Sequence, residues 1–445
     1  MTTDTIVALA TPAGKGAIAL FRLSGHDVLT VLQSFVSVKQ WEPRKATYTK
    51  FVNHQQLIDE VVATYYVAPH SYTGEDMVEI SCHGSTYIQQ QILQLLLSFP
   101  TVRMAEPGEF TQRAFLNGKF DLAQAEAVAD LIDSHSESSH RLAVNQLRGG
   151  FSKELAQIRN QFVELTSLLE LELDFSEEEV EFANRDQLMS LLDTLETRTR
   201  QLVNSFRTGN AIKNGVPVAI IGKPNAGKST LLNALLHDDR AIVSPIAGTT
   251  RDTIEETITL NGTLFRFIDT AGLRHSDDTI ETAGVDRSYQ AMQKAQVILY
   301  LIDSSTPQQE AEQEIASTLA SVDTNDKKFI VIRTKSDLHI PPISNALLLS
   351  AQTGEGMDTL IQSLTQSVGN YAIDTTLLTN VRHYEAMTHI LESIGHIREG
   401  FDQQQPADLI IVDIRDALYH LGTITGQVST DEVLNTIFSR FCIGK

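Results

Sequence analysis

The stretch Gly222-Lys223-Pro224-Asn225-Ala226-Gly227-Lys228-Ser229 has the form GxxxxGKS. Ahead of it runs the apolar segment Val216-Pro217-Val218-Ala219-Ile220-Ile221, and behind it Thr230 to Leu236 begins a helical pattern. Strand, glycine-bearing loop and helix in that order turn a pattern match into a phosphate-binding loop. Its backbone N–H groups, at a helix N-terminus, are set to wrap a di- or triphosphate. Lys228 adds a point charge for the β- and γ-phosphates, and the Ser229 hydroxyl is placed to ligate Mg²⁺. The expected ligand is a nucleoside triphosphate.

Working outward, further motifs follow in the order a GTPase requires. Gly248-Thr249-Thr250-Arg251-Asp252 lies on a loop after the first helix, where a threonine completes a Mg²⁺ shell and senses the γ-phosphate. Asn261-Gly262 reads as a hairpin turn between alternating strands. The second of these strands, Leu264 to Ile268, delivers Asp269-Thr270-Ala271-Gly272. In it Asp269 supports Mg²⁺ and the Gly272 N–H reaches the γ-phosphate. Strands at Val297 to Ile302 and Phe329 to Ile332 extend the sheet. Thr334-Lys335-Ser336-Asp337 then sits at a strand end. The Asp337 carboxylate accepts from guanine N1 and N2, and a buried acceptor of this kind rejects the wrong base by on the order of 10⁴-fold. Ser350-Ala351 follows a third apolar run and is expected at the guanine O6. The usual pattern carries asparagine where this chain has Thr334, whose hydroxyl is expected to keep part of that hydrogen bonding.

Hydrolysis requires a group to orient the attacking water, commonly a glutamine after the DTAG glycine. Leu273 occupies that position and cannot serve, and no arginine finger is evident. Asp277, Asp278 and Glu281 supply carboxylates nearby, although taken singly each reads as a solvated surface acid. Asn225 offers a hard carbonyl oxygen suited to an alkali or alkaline-earth cation.

The chain's 445 residues suffice for two or three domains with buried cores. Its 35 basic against 56 acidic residues give a formal net charge of −21, which argues against a large non-specific nucleic-acid groove. Any RNA contact is expected to be local or shared with a more basic partner. Two distant cysteines, Cys82 and Cys442, make no disulfide framework and fit a reducing compartment. No basic leader opens the sequence and no apolar run approaches the ~18 residues of a membrane span. A cytoplasmic protein with no membrane association is expected.

Periodicity divides the chain into a multidomain α+β and α/β arrangement. Residues 1–118 alternate like an α+β domain, with strands at Ile18 to Leu23, Val61 to Val67 and Met77 to Cys82, and a helix Tyr87 to Leu97 capped by Ser85. Residues 119–210 read as helical, with Leu155, Ile158, Phe162, Leu165 and Leu169 on one face, and Leu188, Leu191, Leu192, Leu195 and Leu202 on another. Thr208-Gly209-Asn210 reads as a linker into an α/β nucleotide-binding domain over 211–372. Helical pattern returns over 373–445, with Ile411, Ile414, Leu418 and Leu421 in phase. A last helix is expected from a capping box of Ser429 and Glu432, carrying Val433, Ile437 and Phe441. The economical reading is one helical domain split by an inserted Ras-like nucleotide domain.

Together these motifs resemble the MnmE (TrmE) family of tRNA-modifying GTPases over essentially the whole chain. The most specific element is Phe441-Cys442-Ile443-Gly444-Lys445, which is similar to the family's C-x-G-K ending. Phe21-Arg22-Leu23-Ser24-Gly25, Glu79-Ile80-Ser81-Cys82-His83-Gly84 and Pro107-Gly108-Glu109-Phe110-Thr111 also resemble it. The resemblance implies an N-terminal dimerising domain that binds a tetrahydrofolate derivative (5-formyl- or methylene-tetrahydrofolate), a helical domain and an inserted G domain. It implies a homodimer that, with the flavoprotein MnmG (GidA), adds a carboxymethylaminomethyl or aminomethyl group at C5 of the wobble uridine of certain tRNAs. K⁺ between paired G domains would be held by Asn225, Ser244, Ile246 and Thr249. Mg²⁺ would be held by Ser229 and Thr250, and Glu281 matches the family's water-orienting glutamate, beside Lys228 and Thr250. The nucleotide is implied to meet Asn225 to Thr230, Ser244, Pro245, Ile246, Ala247, Gly248, Thr249, Thr250, Asp269 to Gly272, Thr334, Lys335, Asp337, Ser350 and Ala351.

For folate the resemblance points to Arg22, Glu79, Lys119 and Lys445. The strand pattern puts Arg22 on the face of Ile18 and Leu20, as a cleft arginine able to pair with an anion. Glu79 shares a face with Met77 and Ser81 and reads as pointing to solvent, and Cys442 as an idle thiol. Two other classes fit parts of this pattern: a ribosome-assembly GTPase switch, disfavoured by the absence of a basic cluster in the last third, and a folate-dependent transfer enzyme with a regulatory G domain.

Overall fold

The computed structural model describes residues 4–174, 185–237, 242–243, 255–268, 289–321, 327–338, 346–367 and 376–444, with 172–174, 242–243 and 321 described in backbone alone. Two compact units emerge: Met1–Ala129 with Gln146–Val163 and Asp408–Lys445, and Asp130–Asn145 with Glu164–Ala407.

In the first unit, six strands are β1 (Thr5–Leu9), β2 (Ile18–Ser24), β3 (Thr47–Asn53), β4 (Gln56–Tyr66), β5 (Met77–His83) and β6 (Val102–Met104). They lie in the order β3-β4-β5-β2-β1-β6, antiparallel except for the β1–β6 pair. Alternation gives the sheet one oily face, where Ala19, Phe21, Leu23, Val61, Ala63, Val78 and Ile80 pack with the helices Val28–Phe35 and Thr86–Leu97. The opposite face carries Arg22 directly across from Glu79. Ser85 does occupy the N-cap of Thr86–Leu97, but its side chain makes no capping bond. The last helix is Asp431–Phe438, and its cap is Thr430 rather than Ser429: the Thr430 hydroxyl accepts from the Val433 N–H at 3.3 Å. That one-residue shift buries Leu434 and Phe438 and leaves Val433 39% exposed. With Phe441, Leu122 and Ala125 they form a small core that anchors the C-terminal segment.

In the second unit, seven strands are β7 (Val216–Gly222), β8 (Ile242–Val243), β9 (Glu256–Leu260), β10 (Thr263–Phe267), β11 (Val297–Asp303), β12 (Lys328–Thr334) and β13 (Leu347–Leu349). Their order is β13-β12-β11-β7-β10-β9-β8. The strands from β13 to β10 run parallel and β9 returns antiparallel. Strand β11 is buried along nearly its whole length because both its faces are covered, which explains its unbroken apolar run. The Asn261-Gly262 turn has left-handed φ of 48° and 78°, the twist a two-residue hairpin needs.

The predicted linker at Thr208-Gly209-Asn210 is not one: helix Arg185–Asn214 continues through it. Gly209 is there for packing, since a Cβ at this position would lie 2.1 Å from the Leu378 carbonyl oxygen. The Ser205 hydroxyl accepts from the Leu378 N–H at 3.0 Å one turn earlier. The stripe Leu188, Leu192, Leu195 and Leu202 is buried, with Thr199 in the same line, whereas Leu191 is half-buried at its edge. Leu155, Ile158, Phe162, Leu165 and Leu169 are all buried, as are Ile411, Ile414 and Leu421. Among the described residues no helix is long and apolar enough to cross a membrane.

Candidate functional site

The phosphate loop begins where β7 ends. Gly222 has φ of 156°, and a Cβ there would stand 2.5 Å from the Leu301 carbonyl oxygen, so only glycine lets the loop leave past β11. Asn225 and Gly227 are both left-handed, at 63° and 90°, and the Ala226 N–H closes the turn on the Lys223 carbonyl at 3.2 Å. Helix Lys228–Leu236 starts at once, with Gly227 as its N-cap. Its first N–H groups have no carbonyl behind them within the helix, and they carry the positive end of its dipole. Ser229 and Thr230 stand exposed at that end. The Lys228 ammonium donates to the carbonyls of Gly222 at 2.7 Å and Lys223 at 2.8 Å. Burial pushes it below the usual lysine range. The partners described for this cation are therefore neutral oxygens, a poor substitute for the anionic ones a phosphate chain brings.

The base-recognition turn is fastened to that loop. Thr334 is buried, and its hydroxyl lies 2.9 Å from the Ala226 carbonyl oxygen and 3.2 Å from that of Ile302. Lys335 has left-handed φ of 59° and pairs with Asp303. Burial opposes the Asp303 charge, but Lys335 and Ser305 outweigh it and hold the carboxyl below its ordinary value. The Ser336 hydroxyl donates to Glu355 at 3.1 Å, joining this turn to the loop after β13. In that loop Ser350 is buried and donates its N–H to the Glu355 carbonyl at 3.0 Å, with Ala351 half-buried beside it. Asp337 is exposed on the short turn Ser336–Leu338, so the buried acceptor expected from sequence requires a base to cover it.

Thus Asn225 to Thr230, Thr334, Lys335, Asp337, Ser350 and Ala351 line one end of the parallel strands, where ligands of open α/β sheets bind. Ser244, Pro245, Ile246, Ala247, Gly248, Thr249, Thr250, Asp269, Thr270, Ala271, Gly272, Glu281 and Lys445 lie outside the described residues. Among the described residues no group of three or more His, Cys, Asp or Glu side chains could hold a metal ion. A metal at this site would rest on Ser229, the nucleotide itself and residues beyond those described.

The first unit holds a separate cleft. Arg22 donates Nε and Nη2 to the same Glu79 oxygen at 3.0 and 2.8 Å, with the two side chains 18% and 21% exposed. Glu79 therefore faces the cleft rather than solvent, because β2–β5 register sets it opposite the arginine. The guanidinium lies 5.1 Å from the Tyr72 ring centre and 5.8 Å from that of Phe110. Tyr72 is fixed by a 2.8 Å hydroxyl bond with Thr111. Burial and the Glu79 carboxylate push the Tyr66 phenol up, partly offset by Arg22. Arg22 Nη1 also reaches the Gly444 carbonyl oxygen at 3.4 Å. Gly444, with φ of 98°, sits where a Cβ would be 2.7 Å from the Leu9 carbonyl oxygen, so the C-terminal segment lies against β1. Cys442 is exposed beside it. Lys119 is exposed and donates to the Pro69 carbonyl at 2.9 Å, at the start of the loop that carries Tyr72.

Behind the cleft, Arg113 joins Asp4, Glu75 and Glu109, and Arg103 joins Asp4 and Glu109. Burial opposes the Glu109 charge, yet Arg103, the Glu106 N–H and Arg113 outweigh it and hold the carboxyl below its ordinary range. Tyr72 and the ionic network escaped sequence reasoning. The run Ser71-Tyr72-Thr73-Gly74-Glu75-Asp76, an aromatic and acids in a turn, was the available signal.

Comparison with known proteins gives a consistent result. The profile described as the MnmE helical domain matches residues 122–442, and that described as the GTP-binding protein TrmE N-terminus matches 5–119. The helical match spans the whole nucleotide-binding sheet, as an insertion into a helical domain requires. The tRNA modification GTPase MnmE of Parabacteroides distasonis is 50% identical over 99% of this chain and 100% of its own length. The protein of that name from Christiangramia forsetii is 47% identical over 99% of each. Among solved structures, Era of Aquifex aeolicus bound to GDP and AlF4⁻ aligns with 40% of this chain and 65% of its own. Its identity is 26% and its TM-score 0.26, a superposition that adds nothing to the site.

Proposed function

The chain belongs to the MnmE family of tRNA modification GTPases, and from that premise we propose a K⁺-stimulated, homodimeric enzyme that works with a flavoprotein, MnmG, on the wobble uridine of certain tRNAs. It hydrolyses GTP in tRNA modification. The observation that carries the nucleotide reading is the Lys228 ammonium, partly buried, bonded to two loop carbonyls and set at a helix N-terminus. A polyphosphate supplies what those carbonyls lack.

In this reading Lys228 and the loop N–H groups neutralise the β- and γ-phosphate oxygens, and Asp337 with the Ser350–Ala351 loop holds guanine. Ser229 and Thr250 are the ligands for Mg²⁺. Asn225, whose amide is exposed on a left-handed turn, joins Ser244, Ile246 and Thr249 as the ligands for K⁺. When bound, the two cations neutralise charge developing on the transferred phosphoryl group. Leu273 has no group to orient water, and by resemblance to the family Glu281 takes that role. A folate derivative suits the Arg22–Glu79 cleft: the carboxylate and guanidinium offer acceptor and donors side by side, with the Tyr72 and Phe110 rings near the guanidinium. Lys119 and Lys445 complete that set. Domain limits of 1–118, 119–210, 211–372 and 373–445 go with this reading, with the limit at 210/211 moved to Asn214, where helix Arg185–Asn214 ends; the third domain is the module that pairs across the dimer.

GTP turnover measured in K⁺ and in Na⁺ tests the central claim. Faster turnover in K⁺, reduced to the Na⁺ rate by Asn225→Ala, is expected. Equal rates in both salts would end the cation-assisted reading while leaving the family assignment intact. Wobble-uridine nucleosides from cells lacking this chain, analysed by mass spectrometry, test the tRNA assignment directly.

A further inference from the structure

We infer that Thr334 tethers the phosphate loop to the base-recognition turn and makes no contact with the base, so that guanine is read here without the residue that opens the motif. The inference rests on the reading that this site holds a guanine nucleotide. Thr334 is 4% exposed, at the inner end of β12. Its hydroxyl has two carbonyl neighbours, Ala226 of the phosphate loop at 2.9 Å and Ile302 of β11 at 3.2 Å. A hydroxyl has one proton, and either carbonyl takes it. The edge of guanine that carries N7 and O6 offers acceptors alone. A buried hydroxyl whose proton is already committed has nothing to give that edge.

Asparagine, the usual residue, carries two N–H donors on its amide, enough to serve a loop carbonyl and a base together. Threonine keeps the first duty and drops the second. The loop side of the tether is equally well defined. Ala226 is 1% exposed, with its N–H bonded to Lys223 and its carbonyl facing Thr334. A Cβ built on the adjacent Gly227 would lie 3.8 Å from the Thr334 Cβ. Thr334 thus lies beneath the turn that shapes the phosphate site, and selectivity for guanine falls to Asp337 and the Ser350–Ala351 loop.

The test is displacement of a fluorescent GDP analogue from the full chain by GDP and by 7-deaza-GDP, which lacks the N7 acceptor. Thr334→Val removes the proton while preserving shape, and should weaken both ligands by about tenfold, the cost of one buried acceptor left unpaired. The ratio of the two affinities should be the same in wild type and T334V. Thr334→Ser, which keeps the hydroxyl, should hold wild-type affinity for both. A ratio that collapses in T334V would show a base contact and overturn the inference. Unchanged affinities in T334V, or a tenfold loss in T334S, would overturn the tether. Failure of wild type to bind GDP at all would instead remove the nucleotide reading beneath it.

Discussion

Lys228 and Arg22 are both partly enclosed cations at candidate ligand sites, and they differ in what answers their charge. Lys228 donates to two carbonyl oxygens and is depressed by burial. Arg22 meets a carboxylate before any ligand arrives. Among the described residues only neutral oxygens meet the cation of the first site, which suits that site to a polyanion. The second is nearly neutral, a paired donor and acceptor suited to a ligand that has both. Construction differs in the same sense. The phosphate loop is eight consecutive residues shaped by glycine and backbone bonds, whereas the cleft draws residues 22, 72, 79, 110 and 444 from the length of the chain.

The largest effect that could break this contrast is at Lys228. Lys228→Met should lower nucleotide affinity and GTP turnover by on the order of 10²–10³-fold, since a preorganised charge aimed at developing anionic oxygens is lost. Reduced-folate binding, measured by calorimetry, should not move. Retained turnover would mean that the loop N–H groups suffice.

A smaller change would sharpen the contrast by making the cleft resemble the loop. Glu79→Gln keeps a hydrogen-bond acceptor and removes its charge, leaving Arg22 unanswered. Inorganic phosphate should then protect the first unit against thermal unfolding roughly fivefold more effectively, the scale of a partly exposed ion pair. No gain in phosphate protection would show that Glu79 does not neutralise the cleft.

The smallest expected effect concerns acid. Glu109 has a lowered carboxyl pKa, so its contribution is present above its unfolded value, near 4.5, and is lost as pH falls through the folded one. Arg103→Gln should cost about 0.5 kcal/mol at neutral pH, because its side chain is 40% exposed and Arg113 still pairs with Glu109 and Asp4. It should also move acid unfolding of the first unit to higher pH, followed by circular dichroism. Arg103 bonds to Asp4, Met104 and Glu109, all within the first unit, so nucleotide affinity of the folded protein at neutral pH should be unaltered.

The same contrast explains what the sequence makes legible. The GKS loop, the Asn261-Gly262 hairpin and the buried run of β11 are readable because each is decided by neighbours in the chain. The cleft is not, since Tyr72 and Gly444 acquire meaning only when the sheet sets Arg22 against Glu79. Glu79 reads as a surface acid by alternation alone, and only β2–β5 register reveals its partner. Gly209 reads as a break because glycine disfavours helix, and the Leu378 backbone that overrides this lies far away in sequence. The shift from Ser429 to Thr430 is of another kind: two adjacent capping residues compete, and burial of Leu434 and Phe438 decides between them.

That crossing of Gly209 by Leu378 has a practical side. The chain enters the nucleotide-binding sheet one residue after helix Arg185–Asn214 ends, and on its way back it is stitched to that same helix through Ser205. Departure and return are thus riveted at a single root, like the stem of a graft. A short glycine bridge in place of residues 215–376 has little distance to span, which makes the module a natural unit for excision or exchange between relatives.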